Sequence, residues 1–191
     1  MDEAARRFAA NGYDQTSVAE IVDGLGVGKG VFYWYFASKE ELLCDVLRDA
    51  QLDLRRAQHA AIRDEPDPVQ RIARGIRASI AWLSAHRDLF TLFEFAALDA
   101  RFLPILRRGE DVAVGDVVRH VEEAVRVGLI PDADPLVVAH AVLGVTNRLA
   151  WTFVLKRGDD WEAVAEAAIA FCLSGLMGAA PALAPPGVLV S

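Results

Sequence analysis

Between Gly24 and Lys39 the chain carries no carboxylate, but it does carry Lys29, Lys39 and the aromatic run Phe32-Tyr33-Trp34-Tyr35-Phe36. The net charge of the whole chain is −7, so any attraction to a polyanion must be local. An acid-free window with lysines is the surface a phosphate backbone requires. On a helix, Phe32 and Phe36 stand four apart and would anchor inward. Tyr33 and Trp34 would then point outward, where a phenol or an indole N–H can donate to phosphate or to a base edge. An aromatic-rich helical core accounts for the same run of residues.

Such side chains need short helices to present them, and the start and stop signals supply these. Ser17 and Glu20 form a capping box ahead of the stripe Val18, Ile21, Val22 and Leu25, which Gly26 stops. A short helix follows over about Gly28 to Tyr35. Ser38 and Glu41 open the next, which carries Leu42, Leu43, Val46 and Leu47 and runs to about Arg63. Short helix, glycine-containing turn, short helix from Thr16 to Phe36 is the layout that lays a second helix in a major groove. The helix starts at Ser17 and Ser38 add free backbone N–H groups for phosphate.

The rest of the chain also reads as helix, with no stretch alternating like an exposed strand. A first helix ends at Gly12. Asp67-Pro68 and Asp134-Pro135 open two later ones, Asp as cap and Pro at the first turn. Asp88 to Ala97 is an aromatic segment, a long helix spans about Phe102 to Val127, and the last starts near Asp160 and fades by Gly178. The expected fold is all-α: a helix-turn-helix domain over 1–48, a larger helical domain over 49–180, and a loose Pro-rich tail over 181–191. The boundary falls inside the fourth helix, which should couple the two domains.

Other chemistry is scarce. No nucleophile–base pair or metal set stands at suggestive spacing, and Gly26, Gly28 and Gly30 lie between helices, where a dinucleotide loop would follow a strand. An enzyme, a catalytic residue, a metal and a cofactor are therefore not expected. Cys44 and Cys172 fall in apolar helical patterns and read as buried thiols of a cytoplasmic protein. Asp2, Glu3, Arg6 and Arg7 stand where a secretory signal would need apolar residues. His140, Asn147 and Arg148 interrupt the most apolar segment, Leu136 to Leu155, so no membrane span is expected.

Phe8-Ala9-Ala10-Asn11-Gly12-Tyr13, Thr16-Ser17-Val18-Ala19-Glu20-Ile21, Gly26 through Phe36 and Ser38-Lys39-Glu40-Glu41-Leu42-Leu43 closely resemble the N-terminal domain of TetR/AcrR-type regulators. The resemblance covers about a quarter of the chain. It implies an all-helical homodimer that represses transcription from a double-stranded DNA operator and releases it when a small molecule binds. By position it implies that Thr16, Ser17 and Lys39 touch phosphate. It places Gly28, Lys29 and Gly30 at the tip of the recognition helix, and Tyr33 and Trp34 on backbone or bases. Gly28 and Val31 stand where the family often has hydroxyl residues, and Trp34 replaces a frequent His or Tyr. Family members usually begin with a basic arm and a longer first helix. In residues 1–48 here, eight acids against five bases give −3. Either the native start lies upstream or affinity is weak, and adding a basic arm should tighten binding.

In the larger domain, Trp82, Phe90, Phe93 and Trp151, with the polar His120 and Asn147, are expected to line a pocket for a largely apolar effector. Ordinary core packing is the alternative for each aromatic. His120 and Glu123, three apart, lack a third metal ligand. Val138, Val142, Val164, Ala168 and Phe171 on the last two helices are expected to form a dimer interface, a four-helix bundle across a two-fold axis. The alternative function is an all-helical small-molecule binding protein whose DNA binding is weakened or lost.

Overall fold

A computed structural model describes residues 2–178, and the expected tail over 181–191 lies outside the described residues. Among those described, the chain forms nine α-helices and no strand. They are α1 (Asp2–Asn11), α2 (Val18–Gly24), α3 (Lys29–Tyr35), α4 (Lys39–Ile62), α5 (Pro68–Ala85), α6 (Arg87–Ala97), α7 (Leu103–Arg126), α8 (Pro135–Leu149) and α9 (Trp161–Met177). A π-helical segment, Ala150–Arg157, continues α8.

The helix starts follow local chemistry. Ser17 Oγ accepts the Glu20 N–H while Glu20 Oε2 accepts the Ser17 N–H, a closed capping box. At α4, Ser38 Oγ accepts the Glu41 N–H, but the Glu41 carboxylate reaches one residue further back, to the Ala37 N–H at 2.6 Å. Asp67, Asp134 and Asp160 accept the free N–H groups that open α5, α8 and α9. Gly26, at φ +66°, makes the left-handed turn that separates α2 from α3.

The chain divides into two compact units. The first comprises Met1–Ala60 and Ala81–Ala113, so it is larger than residues 1–48. Its core gathers Phe8, Ile21, Phe32, Leu43 and Leu47 from the first four helices and Tyr13 from the turn after α1, with Leu92, Ala96 and Phe102. Within it α1 packs on α6. Trp82 is buried, its indole N–H donating to Asp53 Oδ2 at 2.7 Å and its ring stacking on His86. The second unit comprises Ala61–Ile80 and the chain from Val114 onward, where α8, its π-helical continuation and α9 pack together. Arg71 is fixed there by the Glu123 carboxylate at 2.7 Å and by the Glu65 and Pro66 carbonyls. One described stretch, Pro135–Arg157, is long and apolar enough to cross a membrane by length and composition. Helices of a soluble core meet the same criterion.

Candidate nucleic-acid interface

One residue fastens α3. Phe32 is buried and packs on Phe36 with ring centroids 5.6 Å apart. Burying it contributes roughly 2–3 kcal/mol and turns the rest of α3 outward. Tyr33 is 58% exposed, Trp34 78% and Tyr35 65%. Trp34 and Tyr35 meet edge to face at 4.5 Å. Gly28, Lys29 and Gly30 are exposed at the start of the helix. The whole run from Asp23 to Val31 lies at the surface, so the acid-free window is a real outer face. Ser17 is exposed beside it, at the start of α2. Its partner Glu20 has its carboxyl held below the ordinary value, chiefly because it accepts the Ser17 backbone N–H.

Two of the residues expected to touch phosphate are placed differently. Thr16 is completely buried, and its hydroxyl donates to the Gly12 carbonyl at 2.8 Å, with the Arg7 carbonyl at 3.2 Å. It closes the turn between α1 and α2 and offers nothing to a ligand. Lys39 turns its ammonium inward, donating to the carbonyls of Tyr13 (2.7 Å), Thr16 (3.0 Å) and Asp14 (3.5 Å). Its Nζ also sits 4.3 Å from the centroid of the Tyr13 ring. With three N–H donors and three carbonyls, Lys39 ties α4 to the loop before α2.

Tyr13 is the centre of that tie. It is buried between Phe8, Phe95 and Phe102, at 5.4, 5.2 and 5.5 Å between centroids. The Arg101 guanidinium lies 5.5 Å from the Tyr13 ring centroid and is held by Asp99, with Glu40 at 3.7 Å. Burial pushes the Tyr13 phenol above its ordinary pKa, against the pull of Arg101. Neither residue is marked by sequence as a partner of the other, because they are far apart in the chain and share no periodicity. Tyr35 and Val31 are further exposed residues of α3 that type and spacing did not single out.

Residues 1–46 match the sequence model of the N-terminal domain of bacterial regulatory proteins of the tetR family. That match covers the helix-turn-helix segment, about the first quarter of the chain. Over 95 residues, which are 49% of this chain and 47% of the relative, the protein is 33% identical to the HTH-type transcriptional repressor KstR2 of Mycobacterium tuberculosis. The chain thus spans about half the length of that curated relative. Two solved structures share the fold. The TetR family transcriptional regulator PfmR of Thermus thermophilus is 24% identical and has a TM-score of 0.71, over 94% of this chain and 98% of that one. The transcriptional regulator FadR of Bacillus subtilis, solved in complex with stearoyl-CoA, is 20% identical with a TM-score of 0.78, over 91% of this chain and 96% of that one.

The expected effector residues fall in both units. In the first, Trp82 is buried with its N–H already used, and Phe90 and Phe93 are half-buried. In the second, His120 is half-buried beside Arg71 and Arg119, Trp151 is half-buried under the Lys156 ammonium, and Asn147 is exposed. Burial, then the two arginines, push the His120 imidazole below its ordinary pKa. Among the described residues no group of three or more His, Cys, Asp or Glu could hold a metal.

The expected dimer residues divide by exposure. Val142, Val164 and Ala168 are buried within the subunit, although Val142 reaches the wall of the groove between α8 and α9. Phe171 is 67% exposed and Val138 half-exposed. Phe171, Val138, Val137, Ala141 and Val145 line an apolar groove of about 190 Å³ between α8 and α9. The outward residues of α9 include Ala163, Ala167, Ala170, Ser174 and the expected Phe171.

Proposed function

We propose that the chain is a homodimeric repressor that binds a palindromic operator through α3 and releases it when a small, largely apolar effector binds. The observation that carries this is the outer face of α3: Lys29, Tyr33 and Trp34, exposed and free of carboxylates, inside the segment that matches the family. Lys29 supplies the phosphate charge and Tyr33 a hydroxyl, while Ser17 stands at the edge of the same face. Thr16 and Lys39 act as positioning residues. A two-fold partner is supported by the groove at Phe171 and by exposed Leu136, Val137 and Met177. Two reading heads on one axis suit two half-sites a helical turn apart. Effector binding would shift α4, which carries Lys39 at its start, and so change the spacing of the two recognition helices. A repressor of chromosomal operators works in the cytoplasm.

Gel mobility shift with duplexes drawn from a random-sequence library tests the reading, repeated with a panel of ligands that begins with long-chain fatty acids and their amphipathic acyl-CoA thioesters. Salt-dependent retention that one ligand abolishes supports it. No retention by any duplex at low salt would end it. The second reading, a small-molecule binding protein without DNA affinity, is favoured by one observation. The head is acidic overall, and Lys39 is committed internally, which leaves Lys29 as the cation on the outer face. That reading gives tight ligand binding with no retained duplex.

A further inference from the structure

The exposed surface of α3 has two unlike flanks. With Phe32 buried, a rotation of about 100° per residue puts Gly30 and Trp34 on the outermost line. Lys29 and Tyr33 fall to one side, Val31 and Tyr35 to the other. Val31 is 46% exposed, and Val27 and Leu25 in the preceding turn are exposed as well. No side chain of α3 is Arg, Asn, Gln, Asp, Glu, Ser or Thr. Of the side chains that read guanine, adenine or cytosine by paired hydrogen bonds or a carboxylate, this helix carries only Lys29, which suits guanine and lies on the flank away from Val31. An indole only donates, and every base pair offers an acceptor in the major groove, so Trp34 discriminates weakly by hydrogen bonding. The remaining mark that an apolar flank can read is the C5 methyl of thymine.

Gly30 points the same way. A Cβ built there would meet nothing within 4 Å, and its φ is not positive, so nothing inside the subunit calls for glycine at that position. A bare backbone beside Val31 and Trp34 instead lets base-pair edges approach the helix closely. We propose that the protein reads its operator through thymine methyl groups. Val31 and Trp34 are the specificity-determining side chains, and Gly30 is the point of close approach. This rests on the DNA-binding reading above.

The test starts from a duplex enriched from a random-sequence library by the full-length chain at low salt. Each thymine is replaced singly by deoxyuridine, which removes one methyl and leaves every hydrogen-bonding group in place. Affinity should fall about fourfold at one or more thymines of each half-site, the loss expected for one buried methyl. The Val31→Ala protein should still bind but no longer distinguish thymine from deoxyuridine at one of those positions. Equal binding of the enriched duplex with all its thymines replaced overturns the inference and leaves DNA binding standing. Failure to bind any duplex by a protein that is folded by circular dichroism overturns both.

Discussion

Lys29 and Lys39 look alike in sequence, two cations bracketing an aromatic run, yet the fold gives them different work. Lys29→Ala should weaken operator binding and reduce the slope of log affinity against log salt by about one, as titrations at several salt concentrations would show. Lys39→Met should leave that slope unchanged and destabilise the protein by about 1–2 kcal/mol, because it strips a charged donor from the Tyr13 and Thr16 carbonyls. A variant that keeps wild-type stability and loses the slope contradicts this division. Gly30→Ala should raise stability by about 0.5–1 kcal/mol, a shift of roughly 2–4 °C in Tm at most, while weakening DNA binding. Phe32 inward with Trp34 outward followed from helical period alone. Thr16 and Lys39 were misplaced because a run of types does not show where the carbonyls of the loop after α1 will lie.

Helix starts were the most readable feature at the level of elements. The caps at Ser17, Ser38, Asp67, Asp134 and Asp160 all form, since a cap needs only residues two to four apart. The stripe of α9 that faces inward was not readable: small and apolar residues surround that helix, so periodicity does not choose between Ala168 and Ala167. The π-helical turns after Leu149 left no mark either, as the apolar pattern runs on through Val154 without a break. On α7, His120 gives a pH prediction. The folded chain holds its pKa below 6.5, so the unfolded chain takes up the proton first as pH falls. Its contribution to stability is whole above about pH 7 and declines as pH falls through 6.5 toward the folded value. Thermal melts from about pH 8 to 5 should show a smaller fall in Tm for His120→Gln than for the wild type. Parallel falls in the two proteins would assign the acid sensitivity elsewhere.

At the scale of the whole molecule, all-α class and element order came from the sequence, but the extent of the first unit did not. The packing of α1 on α6 and the grip of Arg101 on Tyr13 join segments that no local signal connects. The groove between α8 and α9 makes its own prediction. Phe171→Glu should give monomers in sedimentation velocity and weaken operator binding, since a charge would be buried at the proposed two-fold. A Phe171→Glu protein that stays dimeric places the interface elsewhere. The most direct test of DNA recognition by α3 is fluorescence anisotropy of the full-length chain on a library-enriched palindromic duplex, titrated over a range of salt. Two chains per duplex, with affinity falling steeply as salt rises and lost with Trp34→Ala, is the predicted result. Affinity for that duplex no higher than for unrelated DNA at the lowest salt would contradict it.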